Sequence, residues 1–429
     1  MTDLAAEYLP LLRKNRLSHL ALTEEAVFPY YSGWSILNVP FSLCTWFDIP
    51  PLGLQPPAPL LHPAASAIGK NVRTVALILM DALSLFRLQR WMGDGVAPIW
   101  GELAEEGLLL PLTSVSPSTT SSALASLWTG VPPSVHGIVG YEMWLKEYGL
   151  VANMILHSPM SFNHDAVGLL VKAGLQPEEF LSAARLGQHL SDHGVQVYAY
   201  QHHSIVHSSL SQMLLKGASR RAFGTATDLW VNVRQFVESQ IAQKSYLFIY
   251  WSELDSFSHR YGPDDERVAA EFSAFSQAFQ KMFLDRMRPS GETLIILMAD
   301  HGQVYTPQNP NFDLRNHPEF INLLHILPTG ENRLAFLYVR PGQTKAVRAY
   351  VDSRWPGQFT LLTSAEVVQA GLFGDGEHHP RLKERVGDFL LVAHGDNYLW
   401  WAGKENQMLG RHGGLSPDEM IVPFLAVRI

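Results

Sequence analysis

TVALILMD, residues 74–81, is an apolar run closed by an aspartate. Two other runs end the same way: YLFIYW at 246–251, just ahead of Asp255, and TLIILMA at 293–299, followed by Asp300. Short unbroken apolar runs of this kind read as strands buried on both faces, as in parallel sheets. In an open α/β sheet, ligands gather outside the carboxyl ends of the strands. Three carboxylates at three strand ends therefore predict one acidic centre on one edge of a sheet. Histidines accompany two of them, His259 four residues beyond Asp255 and His301 directly after Asp300.

Outward from these runs, strands alternate with helices from Thr74 onward, which predicts an α/β protein. Helices are expected after Asp81 through Leu88 and Trp91, over Ser121–Trp128, over Leu186–His193 and over Glu266–Met287. The last carries Val268, Phe272, Phe275, Phe279 and Phe283 at helical spacing. Further strands are expected at Gly107–Leu112, Val195–Tyr200, Arg333–Val339, Asp388–Val392 and Met420–Val427. Residues 1–70 read as an extension, helical over Asp3–Leu20 and proline-rich over Ile49–Ala65, a surface strap. Residues 71–429 read as the catalytic domain. Segments 141–184 and 303–332 lack the βα rhythm and are expected as insertions that shape a pocket.

With 429 residues and 47% apolar content, the chain has room for one large core or two ordinary ones. Its net charge of −8, pI of about 6.1 and lack of a basic run exclude long nucleic acid as a partner. A small phosphorylated substrate remains compatible, because metal ions neutralise it locally. Cys44 is the only cysteine, so no intrachain disulfide forms, as in a reducing compartment. The N-terminus lacks the pattern of a signal peptide, and no apolar stretch reaches the roughly 20 residues of a membrane helix. The expectation is a soluble, cytoplasmic protein with no membrane partner; oligomeric state is not readable.

The segment SVSPSTTSSALASLWTGVPPSVHG, 114–137, places Thr119 and Thr120 immediately before a helix. A helix N-terminus favours phosphate, and a hydroxyl there can attack a bound phosphorus. Ser and Thr are also ordinary helix caps, and this segment alone favours the cap. The carboxylate constellation reverses that preference. Asp255 and His259 share a helical face, Asp300 and His301 sit at a strand end, and His412 lies in the glycine-flanked GRHGG. This mixture of oxygen and nitrogen ligands suits zinc, with manganese or iron as alternatives.

The ordered set of motifs resembles the alkaline phosphatase superfamily and, within it, the nucleotide pyrophosphatase/phosphodiesterase (type I phosphodiesterase) branch. It comprises Leu79–Ala82, Pro117–Gly137, Asp255–Pro263, Ala299–Gly302 and Gly410–Pro423. The resemblance implies a three-layer α/β/α sandwich with a mostly parallel central sheet. It also implies a phosphoric ester hydrolase, a phosphodiesterase that uses two divalent metal ions. Asp81, Asp300, His301 and the nucleophile Thr120 would hold one ion, and Asp255, His259 and His412 the other. Thr120 is preferred to Thr119 because its spacing to Thr129-Gly130 and His136-Gly137 matches the family segment. His136 is then a structural member of the motif. The chain departs from the family at Ala123, where an asparagine is common, and at Ala82, where a glycine is common.

A phosphomonoesterase would use the same metals but normally adds a cation for the extra charge. No Lys or Arg lies between Leu112 and Trp144. A phosphoglycerate-mutase-like phosphotransferase would use serine and give no net hydrolysis. A sulfatase would need other residues at Val115 and Thr119. A catalytically silent binding protein is the remaining alternative, disfavoured by the complete ligand set. Secondary candidates for the pocket are His202, His203 and His207, aromatic stacking by Trp144, Trp251 or Tyr261, and substrate contacts from Arg315 and His317. His378 and His379 read as a solvated loop.

Overall fold

The computed structural model describes residues 4–17, 19–53, 68, 71–160, 167–239, 243–288 and 290–429. Its centre is a seven-stranded sheet. The order is Leu108–Thr113, Ile421–Arg428, Thr293–Met298, Thr74–Met80, Ser245–Trp251, Gln196–His202, Ser219–Phe223. Only Ile421–Arg428 runs antiparallel, to both of its neighbours; the other pairings are parallel. The fold is therefore the expected α/β one with a mostly parallel central sheet. The three aspartate-tipped strands are adjacent, with Met80 level with Trp251 and Leu79 level with Met298. Every residue in them is buried. Neither face meets water, so the runs are unbroken rather than alternating.

Ala226–Ser239 packs on Glu266–Met282, whose buried Val268, Phe272, Phe275 and Phe279 form the expected stripe. That helix ends at Met282 rather than Met287, because the chain tightens into a 3₁₀ turn at Leu284–Arg286. The N-terminal helix spans Ala5–Lys14, shorter than Asp3–Leu20. Beyond it, much of residues 26–47 enters the main core. There Val27 N–H donates to Leu415 O (2.8 Å) and Tyr30 N–H to Thr113 Oγ1 (2.8 Å). Residues 54–65 of the expected strap lie outside the described residues.

A second seven-stranded sheet departs from the sequence reading. Its order is Phe359–Thr363, Phe389–Ala393, Leu334–Leu337, Thr329–Glu331, Glu142–Leu145, Leu150–Asn153, Ser158–Pro159, and all its pairings are antiparallel. It draws strands from both segments expected as insertions. Leu334–Leu337 lies within the expected strand Arg333–Val339, and Phe389–Ala393 overlaps the expected Asp388–Val392; the other strands are two to five residues long, too short for a hydrophobic period to emerge. Arg333 and Glu419, both fully buried, pair bidentately at 2.7 and 2.9 Å. That pair ties the second sheet to the chain just ahead of Ile421–Arg428.

Candidate metal centre

Asp81 follows the strand Thr74–Met80 directly, and Asp300 stands two residues beyond Thr293–Met298. Asp255 and His259 lie one turn apart on the helix Glu253–Tyr261, with His259 Nε2 3.2 Å from Asp255 Oδ1. His412 follows the short strand Gly410–Arg411, which pairs with Val304–Tyr305 just beyond His301. Its Nε2 is 3.7 Å from Asp255 Oδ1. His301 Nε2 lies 3.4 Å from Asp81 Oδ1 and 3.6 Å from Asp300 Oδ2. The His301 and His412 rings stack with centroids 3.9 Å apart. The chain thus brings Asp81, Asp255, His259, Asp300, His301 and His412 into one constellation.

The donor atoms fit divalent ions. His259, His301 and His412 each place Nδ1 within 2.8–3.1 Å of a backbone carbonyl, those of Gly410, Gly302 and Ser118. A carbonyl only accepts, so Nδ1 carries the proton and Nε2 keeps its lone pair for a metal. Asp81 Oδ1 and Asp300 Oδ2 are buried without a hydrogen-bond partner. Among the described residues, two triads hold their donor atoms within 4.8 Å of one another: Asp81, Asp300, His301 and Asp255, His301, His412. His301 belongs to both because its ring stacks on His412; His259 joins through Asp255. This differs from the expected partition, in which His301 serves only Asp81 and Asp300.

Electrostatics supports the same reading. Burial raises the Asp81 carboxyl well above its usual range, with Asp300 and Asp255 adding repulsion, and burial raises Asp300 too. A cation relieves both. Burial also opposes ionisation of Asp255, but the charge and hydrogen bond of His259 outweigh it and hold that carboxyl low. Burial and the neighbouring His301 push His412 well below the ordinary imidazole value, which keeps it neutral and able to ligate.

The helix spans Thr120–Thr129, one residue longer at each end than the expected Ser121–Trp128. Its N-cap, Thr119, makes no side-chain cap bond; the Thr119 hydroxyl goes instead to the buried Glu331, whose carboxyl burial pushes up to about 8. Ser118 Oγ donates to Gly414 O at 2.8 Å. Thr120 Oγ1 alone faces the acidic centre, 3.2 Å from His301 Nε2 and 3.5 Å from Asp81 Oδ2. Three consecutive hydroxyls thus have three separate partners. His136 is fully buried behind the helix, its Nε2 3.0 Å from Ser126 Oγ and its Nδ1 accepting from Ile138 N–H.

Several supporting residues escape the sequence reading. Tyr250 OH donates a short hydrogen bond to Asp81 Oδ2. Gln303 Nε2 donates to Asp255 Oδ1 at 3.2 Å. Arg87, buried, donates to Ala82 O (3.2 Å) and Gln303 O (3.1 Å), joining the turns that carry Asp81 and Asp300. A tyrosine inside a wholly buried strand, and an arginine on the buried side of a helix, both need polar partners. That was the available signal. The backbone is tight here: a Cβ on Gly302 would lie 1.9 Å from Asp418 O, and one on Gly410 2.3 Å from Ser258 O. Ala82 has φ +64°, a left-handed conformation that favours glycine, which explains the family residue. The Ala82 N–H donates to Asp300 Oδ1 at 3.3 Å.

The secondary candidates fare unevenly. His202 borders a cavity with Trp251 and Glu253, whereas His203 and His207 are exposed. Trp251 stacks on Phe223, Tyr261 lies under Arg267, and Trp144 packs against the main core. Arg315 pairs with Asp313, and His317 bonds Tyr350 and Asn311 in the second core, so neither joins the centre. His378 is exposed, but His379 packs under Gly137 and is half-buried rather than solvated.

The sequence matches the family described as Type I phosphodiesterase / nucleotide pyrophosphatase over residues 75–415. No curated protein sequence matches the chain. Among solved structures, it is similar to murine ectonucleotide pyrophosphatase/phosphodiesterase 5, inactivated by a threonine-to-alanine change and in complex with AMP. Identity is 16% and the TM-score 0.61, over 83% of this chain and 88% of that one. Phosphonoacetate hydrolase from Sinorhizobium meliloti 1021, in complex with phosphonoformate, is similar at 18% identity and TM-score 0.60, over 83% and 90%. The human ectonucleotide pyrophosphatase/phosphodiesterase 5 gives 15% and 0.59, over 82% and 87%. At such identities the likeness is one of fold. The family match starts inside the strand that ends at Asp81 and stops just past His412. The chain belongs to the type I phosphodiesterase/nucleotide pyrophosphatase family of metal-dependent phosphoric ester hydrolases.

Proposed function

We propose that the protein hydrolyses small phosphodiesters through Thr120 with two divalent metal ions, zinc before manganese or iron. Asp81, Asp300, His301 and Thr120 would hold one ion, and Asp255, His259 and His412 the other. The observation that carries the reading is the Thr120 hydroxyl at a helix N-terminus, 3.2 Å from His301 Nε2 and 3.5 Å from Asp81 Oδ2. When bound, the ions supply charge neutralisation and Lewis acidity for attacking and leaving oxygens. Thr120 Oγ1 forms a bond to phosphorus as the bond to the leaving oxygen breaks. Asp81 Oδ2 faces the hydroxyl and is the nearest carboxylate for its proton, while Tyr250 fixes that oxygen in place. The first amides of the helix, which lack intrahelical acceptors, orient the phosphoryl oxygens. Water then cleaves the phosphothreonine and restores the hydroxyl.

The ligands in the neighbours' titles, AMP and phosphonoformate, are small phosphoryl or phosphonyl compounds, in keeping with a substrate of that size. In this reading residues 71–429 are the catalytic domain and 1–70 its extension. The lone cysteine, buried Cys44, accords with a cytoplasmic location. No helix among the described residues is long and apolar enough to cross a membrane. The test is hydrolysis of bis(p-nitrophenyl) phosphate beside p-nitrophenyl phosphate with added zinc or manganese. Faster diester turnover, absent in Thr120→Ala, supports the assignment; monoester preference moves it to a phosphatase. Two displacements at phosphorus give net retention, so net inversion with a chiral thiophosphate would rule out the phosphothreonine.

A further inference from the structure

We infer that the substrates of this site carry an uncharged, apolar substituent, an aryl or short alkyl group, on the phosphorus, and that this substituent stays attached during attack. The inference rests on Thr120 as nucleophile. A cavity of about 290 Å³ opens beside Thr120. One wall is the helix that begins there: Leu124 and Trp128, one and two turns along, line the cavity with Thr120. Ile205, Leu214 and Phe248 contribute further apolar surface. Gln201, Ser208 and Ser211 also border it, but they bond to one another, Ser211 Oγ to Gln201 Oε1 and Ser208 Oγ to Ser211 Oγ, both at 3.0 Å.

The charged residues in the lining are all acidic: Asp81, Glu253 and Asp255. No Lys, Arg or His lines it among the described residues. A second phosphate or a carboxylate would find no countercharge there, while an apolar group would displace water from the partly exposed Ile155 and Ile205. The volume sits at the lower end of small-molecule sites, about 300 Å³. In-line displacement puts the leaving oxygen opposite the attacking one. The cavity runs along the helix that carries the attacking hydroxyl, with Asp81 and Asp255 both in its lining, and is assigned to the group that remains on phosphorus.

The test uses p-nitrophenyl phosphodiesters that share one leaving group and differ in the second ester: methyl, butyl, phenyl and thymidine-5′. With the full-length zinc-loaded protein, kcat/KM for the phenyl ester should exceed that for the methyl ester by about 10- to 100-fold. The thymidine ester should do no better than methyl. Ile205, half-buried in the wall, is the lever. Ile205→Trp should cut the phenyl/methyl ratio at least about fivefold; Ile205→Ala, which adds no bulk, should extend the preference to naphthyl. Equal kcat/KM across the series, or a ratio that neither folded variant alters, overturns the inference. If no diester is hydrolysed, the proposed activity fails instead, and calorimetry with phenylphosphonate and methylphosphonate reads the cavity directly. Tighter phenylphosphonate binding that Ile205→Trp weakens supports the apolar site; equal binding overturns it.

Discussion

The two halves of the centre differ in exposure and in what holds them. The side chains of Asp81, Asp300 and His301 are at most 2% exposed, whereas Asp255 is 17% and His259 24% exposed. The buried half hangs from the ends of two directly paired strands. The open half is assembled from a helix and from the loop 410–416, which reaches the second sheet through Glu419 and Arg333. Charge follows the same division. Two carboxylates meet one imidazole in the buried half; one carboxylate meets two imidazoles in the open half. The buried half therefore needs a cation more, and the Thr120 hydroxyl stands beside it. The open half is the one that solvent reaches.

The most direct way to break this comparison is Thr120→Ala. It should lower kcat by about a thousandfold or more, while metal analysis still finds ions bound. Unchanged turnover would move the chemistry out of the buried half. Next is Arg333→Met, which strands a buried Glu419. It should cost about 3–5 kcal/mol in urea unfolding, and excess zinc should not restore the loss. A variant as stable as the parent would mean that the second sheet does not brace the open half.

Metal affinity sharpens the contrast. His259→Ala should weaken zinc binding in calorimetry by about 10- to 100-fold, and Arg87→Met, which removes a support rather than a ligand, by about 10-fold. The His259 loss should fall on the open half, recoverable with excess metal; the Arg87 loss should fall on the buried half. Identical displacement patterns in both variants would erase the distinction.

The smallest effect is in pH dependence. Burial holds His136, behind the nucleophile helix, down to about 3 against an ordinary 6.5. A depressed imidazole stabilises the fold fully above pH 6.5 and loses that contribution as pH falls toward 3, because the unfolded chain binds the proton first. The slope in this window is at most about 1.4 kcal/mol per pH unit. Melting temperature should fall with acidity across it, and less steeply in His136→Asn. Parallel curves for the two proteins would show that His136 takes up a proton without penalty.

Legibility divided along physical lines. Thr74–Met80, Tyr246–Trp251 and Thr293–Ala299 were readable because total burial leaves an unbroken apolar run, and the ends of such strands are where carboxylates gather. Ser118, Thr119 and Thr120 were a harder case. All three are equally good caps, and only their distinct partners Gly414, Glu331 and the acidic centre separate them. Of the second sheet, Leu334–Leu337 and Phe389–Ala393 were legible as strands, but strands such as Thr329–Glu331 and Ser158–Pro159 are shorter than a pattern, so the sheet they complete was not.

By itself, then, the sequence determined the central strands, the acidic and histidine residues of the centre and their order, and the family that order implies. These rest on local burial and on side-chain chemistry, both properties of short stretches. Tertiary structure alone decided that His301 lies between the two triads, that Tyr250, Gln303 and Arg87 brace the acidic centre, and that Arg333 reaches Glu419. It also opened an apolar cavity along the helix that begins at Thr120. Those contacts join residues far apart in the chain, and their geometry depends on how whole elements pack, which no local period encodes.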